Sequence, residues 1–504
     1  MFYNDNNWNL IAQIIFKLQN ELDITHKILS FKALTDEKRA DKLADVSKRL
    51  GACGFPDNTE ADTFEKLTVC LPEEELVEHL MEALHYIDMK LNHNNDAAVF
   101  MLDRTISVSQ MRRLNKNEDK LGIMILPRLK CAWSRKAPNG VEMSVSRGIN
   151  ELMQNYYYIN KMDLGKYEIC NYVLRNGSAA HSPKMLRIAV SPLTNAEVLS
   201  IEEYVRDGRK RIAIVDVAGS KMKPDESKQS GISENQLIDR VQKVIQVSSD
   251  IKADILMFPE MLGTQELRKS SLYLLAKMDL EENRYTPLLT LLPTEWSRVN
   301  KDNGGGKLTH NTNTLYAACR GDLIDGDSFK ESFRQQKQNP YFENEGNLSG
   351  KIEDIEPDNR ICVLHMPDVG RITFPICADL ISDEYRNILI EKLGSTLILC
   401  PSFSKGFDAF IKLTNIGMAS GCRIIWCNSC AVRHLYDKNK EGVFHESDIC
   451  CTGVSGARNY FPAKPEVKCI KGQCADSCLF YIDIPLSTTT KGGEGNLYWN
   501  HIIS

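Results

Sequence analysis

An α/β fold preceded by a mainly helical region is what this sequence predicts, and three observations predict it. From Arg209 onward, short apolar runs alternate with amphipathic segments, the texture of strands and helices laid in layers. Earlier, apolar side chains recur at helical spacing: Ile11, Ile15, Leu18 and Leu22, then Val77, Met81, Leu84 and Leu91. The composition, 42% hydrophobic and 26% charged over 504 residues, supplies apolar surface for a large core and excludes a disordered chain. That length corresponds to two or three domains at about 150 residues each.

The elements follow in order. After the helical stretch, "KLGIMILPRLK" (120–130) and "GVEMSVSRG" (140–148) read as strands joined by the turn-forming "APNG", and "INELMQNYYYINKM" (149–162) as a helix. "RKRIAIVDVAGS" (209–220) is a strand, and "ISENQLIDRVQKVIQVSSDI" (232–251) an amphipathic helix opened by Ser233. "KADILMFPEML" (252–262) is near-continuously apolar, as buried strands are. Strands then fall at 287–296, 311–324, 370–377, 395–402 and 423–432, with helices at 383–394 and 408–421. The expected division is a helical region with a few strands over 1–204, an α/β domain over 205–486, and a tail over 487–504 with a short docking end. No internal repeat of fixed period is present.

A formal net charge of −5 gives the chain no global affinity for nucleic acid or acidic membranes. The opening "MFYNDNNWNLIAQIIFKLQNELD" lacks the basic and small-residue flanks of a secretory signal, and no run reaches the roughly 18 apolar residues of a spanning helix. The sixteen cysteines are scattered without a framework spacing. Together these predict a cytoplasmic protein with reduced thiols and no membrane partner.

Three chemical features sit at the ends of predicted strands. "ILMFPEM" runs apolar into Glu260, where a carboxylate is costly unless paired and its pKa tends to rise, as a general base requires; an exposed loop glutamate is the ordinary alternative. "FRQQKQNPYFENEG" sets Lys337 before Glu343 and Glu345, a cation able to stabilise an oxyanion or simply a solvated loop charge. Cys377 closes "ITFPIC" and precedes Ala378, Asp379 and a helix, whose amide dipoles would lower a thiol pKa; a buried structural thiol is the alternative.

In their order, "FPEM", "KQNPYFE" and "ICADLISDEYR" resemble the nitrilase superfamily of carbon-nitrogen hydrolases, with its Glu-Lys-Cys triad and second glutamate. The flanks "NTNTLY", "GSTLILCPS" and "NIGMASGCRIIWCNS", which carries Asn428, are similar to that family too. The resemblance covers 205–486 and implies a nitrilase-like four-layer α-β-β-α sandwich. It implies Glu260 as general base, Cys377 as nucleophile, Lys337 with the backbone N–H of Ala378 as oxyanion stabiliser, and Glu343 (or Glu345) as second glutamate. It further implies an amide or nitrile substrate, a covalent thioester, a homo-oligomer, and no cofactor or metal. The chain departs from the pattern at Pro375, at Ala378 where an aromatic is common, and in the insertion-like "NKDNGGGKLTHNT" (300–312).

Other motifs are set aside. "NGGGK" (303–307) lacks the strand and Ser/Thr-led helix of a phosphate loop. Cys427 and Cys430, with His434, His445, Cys450 and Cys451 downstream, have metal-like spacing but lie on or after a strand of core type. Residues 104–136, basic and containing Trp133, form a nucleic-acid patch or a solvated face. The competing function is an interaction or effector protein, of the kind in which nitrilase-like domains are fused to other modules in bacterial defence. There the N-terminal half recognises a protein or nucleic acid, and the α/β domain is scaffold or regulated output. No polymerase-type "YxDD" is present.

Overall fold

The computed structural model describes residues 36–56, 59–69, 71–92, 123–125, 158–160, 166–174, 185–192, 199–206, 208–216, 234–281, 284–302, 307–320, 324–325, 328–329, 331–343, 350–366, 369–404, 422–429, 478–485 and 500–503, with residues 10, 13, 14, 17, 18 and 413. They fall in two compact units, one mostly before residue 167 and one mostly after it.

In the first unit, helices α1 (Asp36–Ala52), α2 (Thr63–Thr68) and α3 (Glu73–Asn92) are followed by a short antiparallel pair, β1 (Ile123–Ile125) with β2 (Tyr158–Asn160). Val46 and Leu50 of α1 and Val77, Leu80, Met81 and Ile87 of α3 are buried, and Lys42 reaches Glu78 of α3 at 3.1 Å. Val77, Met81 and Leu18 are buried as the helical spacing predicts, and Leu10 and Ile14 are buried too. Leu84 and Leu91 lie in α3, but their side chains, and Ile11, Ile15 and Leu22, lie outside the described residues, as do most of 104–148. The predicted helix over 149–162 is corrected at its end, where Tyr158–Asn160 is a strand: three successive tyrosines favour an extended backbone, and Ile123–Ile125 supplies the ladder.

The second unit is mixed α/β. In chain order its strands are β3 (Glu168–Val173), β4 (Met185–Val190), β5 (Leu199–Arg206), β6 (Arg209–Asp216), β7 (Ile255–Met257), β8 (Leu289–Leu291), β9 (Glu295–Asp302) and β10 (Lys307–Cys319). Next come β11 (Ile324–Asp325), β12 (Ser328–Phe329), β13 (Phe333–Gln336), β14 (Phe342–Glu343), β15 (Lys351–Glu353), β16 (Arg360–Met366) and β17 (Gly370–Thr373). The last are β18 (Leu397–Ser402), β19 (Arg423–Asn428), β20 (Cys478–Pro485) and β21 (Asn500–Ile503). Its helices are α4 (Glu234–Asp250), α5 (Gln265–Leu280), α6 (Ala378–Ile381) and α7 (Asp383–Asn387), which runs into a π-helical turn, Ile388–Lys392, where a plain helix is predicted.

An eight-stranded mixed sheet has the order β13-β10-β8-β7-β4-β20-β21, with β9 paired to the first part of the long β10. A five-stranded sheet has the order β19-β18-β17-β16-β3, and a four-stranded one β14-β15-β6-β5. Strands β3 and β4 precede residue 205, so these sheets take in chain that the sequence reading leaves in the N-terminal region. At the other end, β21 pairs antiparallel with β20, which gives the tail its docking.

The two-residue period of strands decides where the cores lie. From β10, Leu315, Ala317 and Cys319 enter a cluster that also holds Leu364 of β16, Ile372 of β17 and Leu399 of β18, so the two larger sheets share one core. The intervening Tyr316 and Ala318 enter a second cluster with Val241 and Ile245 of α4 and Leu272 and Leu275 of α5. Thr264 caps α5 by accepting from Leu267 N–H at 3.1 Å and donates to Glu234 of α4 at 2.6 Å, which ties both helix starts together. Strands β9 and β10, on either side of "NGGGK", pair antiparallel, and residues 303–306 of that motif lie outside the described residues. Among the described residues, no helix is long and apolar enough to cross a membrane.

Gly263 is required by close approach. Its N–H donates to Thr294 O at 2.9 Å, and a β-carbon there would lie 2.4 Å from Pro293 O. Gly263→Ala should therefore destabilise the fold by about 1–3 kcal/mol, the usual range for overpacking; thermal melting checks this, and an unchanged midpoint refutes it.

Candidate active site

Glu260, Lys337 and Cys377 are separated in sequence and brought together at strand ends. Glu260 lies three residues past β7 of the eight-stranded sheet, Lys337 directly follows β13 of the same sheet, and Cys377 lies four residues past β17 of the five-stranded sheet. All three are buried, at 0%, 1% and 1% exposure. Lys337 Nζ donates to Glu260 Oε1 at 2.8 Å and lies 2.7 Å from Glu353 Oε2. Glu353, at the end of β15, also accepts from Tyr341 N–H at 2.8 Å.

Glu353 is the carboxylate of this cluster that sequence reasoning missed. The place on Lys337 was expected for Glu343 or Glu345. Of Glu343 the structure describes the backbone, paired with Lys351 across β14 and β15, and Glu345 lies outside the described residues. A weaker signal was available: "KIEDIEP" is a short apolar-polar alternation of strand type with acidic positions, unlike the continuous apolar run that ends on Glu260.

Local backbone positions each group. Cys377 has φ 46° and ψ −103°, a strained conformation for a residue with a side chain, held by its N–H on Pro401 O at 2.9 Å. Pro375, which cannot donate to a ladder, lies past the end of β17 at Thr373, so the strand stops before it costs a bond. Met261 (φ 70°) turns the chain just after Glu260, and its N–H donates to Thr294 Oγ1 at 2.8 Å. Ala378 opens α6, where the first backbone N–H groups of a helix have no intrahelical acceptor. Asn428 closes on Ser404 through two bonds, 2.8 and 2.7 Å, beside the loop that leaves β18.

Asp379, fully buried, joins the lysine segment to the cysteine turn. Its Oδ1 accepts from Gln338 N–H (2.9 Å), Asn339 N–H (2.6 Å) and Asn339 Nδ2 (3.2 Å), and its Oδ2 from Ile376 N–H (3.0 Å).

Electrostatics in this dry cluster follow from burial and mutual charge. Burial raises Glu260 above the usual carboxylate range against the pull of Lys337, and Glu353 raises it further. Burial opposes the charge on Lys337, but Glu260 and Glu353 hold its pKa well above the ordinary lysine value. Burial likewise pushes the Cys377 thiol well up, the charge of Glu260 adds to this, and Lys337 opposes it. The expected dipole-lowered thiolate is thereby corrected: α6 is a single turn with a small dipole, and desolvation beside a carboxylate outweighs it. Cys377 at rest is therefore a neutral thiol.

Among the described residues no group of three His, Cys, Asp or Glu side chains is arranged to hold a metal. Cys427 is fully buried in β19, whereas Cys430, His434, His445, Cys450 and Cys451 lie outside the described residues.

No protein-family model matches the sequence. A search of curated proteins finds no match. Solved structures show a distant likeness to glutamine-dependent NAD+ synthetases. The one from Acinetobacter baumannii, solved with adenosine diphosphate, has TM-score 0.36 and 10% identity over 60% of this chain and 46% of its own. The one from Cytophaga hutchinsonii has TM-score 0.26 and 15% identity over 49% of this chain and 36% of its own. The chain thus spans less than half the length of either.

Burial pushes Asp379 up to about 7 against its four N–H donors. A carboxyl raised in the folded state stabilises fully below its unfolded pKa of 3.8, and that stability is lost as pH rises to about 7. At ~1.4 kcal/mol per pH unit the loss accumulates to a few kcal/mol. Denaturant titrations of wild type and Asp379→Asn should therefore show the wild-type advantage shrinking from pH 4 to pH 7. A difference independent of pH refutes the assignment.

Proposed function

We propose that the second unit is a thiol-dependent carbon-nitrogen hydrolase of nitrilase type, amidase-like, built on a four-layer α-β-β-α sandwich. One observation carries the proposal: a wholly buried lysine bridges two carboxylates beside a cysteine held in a strained turn. A buried charge cluster is expensive to maintain and is characteristic of sites that need perturbed ionisation. Shared sheet-to-sheet packing and helices on the far face of the larger sheet support the layering.

In this reading Glu260 takes the Cys377 proton as sulfur bonds to the carbonyl carbon of an amide. The transfer moves one negative charge from Glu260 to sulfur within the cluster, so net charge is conserved and little desolvation is added. The oxyanion accepts from the Lys337 ammonium, which has a third N–H beyond those directed at Glu260 and Glu353, and from Ala378 N–H. Glu260 returns the proton to the leaving nitrogen as the C–N bond breaks, leaving a thioester. Water then attacks the acyl carbon, giving its proton to Glu260, and the thiol is regenerated with release of the acid. Glu353 keeps Lys337 charged and in place, and we assign it the second-glutamate role in preference to Glu343.

The test is ammonia release from a panel of small amides, including glutamine and asparagine, with site-resolved alkylation of the cysteines. Cys377→Ala and Glu260→Gln should each lower turnover by at least about 10³-fold, and Glu353→Gln by about 10–10³-fold, with folding retained. The acid limb of the rate profile should lie above 4.5, the ordinary glutamate pKa, because Glu260 must be ionised to act. A folded protein whose Cys377 reacts no faster than the other buried thiols, and which turns over no amide, overturns the proposal in favour of the scaffold reading.

A further inference from the structure

Asn313 lies in the middle of β10, with no exposed surface, and touches two of the three reactive residues. Its Nδ2 donates to Glu260 Oε1 at 2.7 Å, the oxygen that also accepts from Lys337 Nζ at 2.8 Å. Its backbone carbonyl accepts from Lys337 N–H at 2.9 Å. The same Nδ2 lies 3.8 Å from Met261 Sδ, in the strained residue that follows Glu260. The amide has one acceptable orientation, because a flip would press Oδ1 against a carboxylate oxygen of like charge. Two strong donors therefore occupy Oε1, whereas Glu260 Oε2 has no hydrogen-bond partner among the described residues.

We propose that Asn313 is a positioning residue for the general base: by occupying Oε1 together with Lys337 it leaves Oε2 as the oxygen that receives the thiol proton, and it fixes the lysine backbone in the same register. This rests on the hydrolase reading of Glu260 and Cys377. A hydrogen bond donated to a carboxylate favours its charged form, so Asn313 also holds the base ionised at lower pH than burial alone would allow. Charge-assisted bonds in dry sites are worth more than neutral ones, which makes this contact consequential.

The experiment measures the pH dependence of Cys377 alkylation by iodoacetamide, resolved by peptide mass spectrometry, in wild type, Asn313→Leu, Asn313→Asp and Glu260→Gln. Asn313→Leu keeps the approximate volume and removes the donor; Asn313→Asp keeps the shape and replaces donor by acceptor. The expected result is an acid limb moved up by about one pH unit or more in either variant, a rate about tenfold lower below that limb, and near-recovery at high pH. A merely structural role would lower the melting temperature without moving the limb. If Asn313→Leu does not fold, Asn313→Asp carries the same reading. A wild-type limb in a folded variant, with Glu260→Gln inactive, overturns the role of Asn313 alone. A Glu260→Gln protein that alkylates like wild type overturns the hydrolase reading and this inference together.

Discussion

The arrangement depends on one interaction, the buried ammonium of Lys337 held between Glu260 and Glu353. A lysine with 1% exposure and no partner would be neutral or would not be buried at all. With two carboxylates at 2.7 and 2.8 Å it stays charged, and each carboxylate in turn is held in a place too dry for a lone anion. Removing the lysine would leave two buried carboxylates uncompensated, at a cost of about 3–5 kcal/mol. The three strand ends that deliver these side chains, from β7, β13 and β15, are thus constrained by electrostatics as well as by packing.

The thiol enters that field from a different sheet. Cys377 follows β17 of the five-stranded sheet, and the strain at its φ of 46° persists because bonds over-determine the turn on both sides. Its own N–H is fixed on Pro401, and Asp379 gathers N–H groups from Gln338, Asn339 and Ile376. Asp379 therefore couples the position of the lysine to that of the cysteine without touching either. A neutral thiol thus stands next to a carboxyl whose pKa is also raised, and burial is the main cause of both shifts.

Much of the second unit was legible in the sequence. β6, α4, β7, β8, β17, β18 and β19 fall within the segments predicted, and β10 overlaps its segment but starts four residues earlier, because continuous apolar runs and a helical stripe report burial directly. Less legible were β3 and β4. Both lie before the change of texture at residue 205, and each is stabilised by strands far along the chain, β16 for the former and β7 and β20 for the latter. The end of the predicted helix over 149–162 failed for a similar reason, since pairing with Ile123–Ile125 outweighed local helical spacing.

The sequence alone determined the chemical types gathered here and the strand ends that present Glu260 and Cys377, because an apolar run that stops on a polar residue is visible in one dimension, whereas the short strand before Lys337, "FRQQ", carries no such run. Only the tertiary structure decided which second carboxylate sits on the lysine. Glu353 reaches it because β15 runs beside β6 and beside β14, pairings set by backbone ladders that leave no mark in side-chain order. The ionisation of the thiol was decided there too. Helix dipoles can be read from a motif, but desolvation depends on everything that packs around an atom, and around Cys377 that is two sheets and a carboxylate.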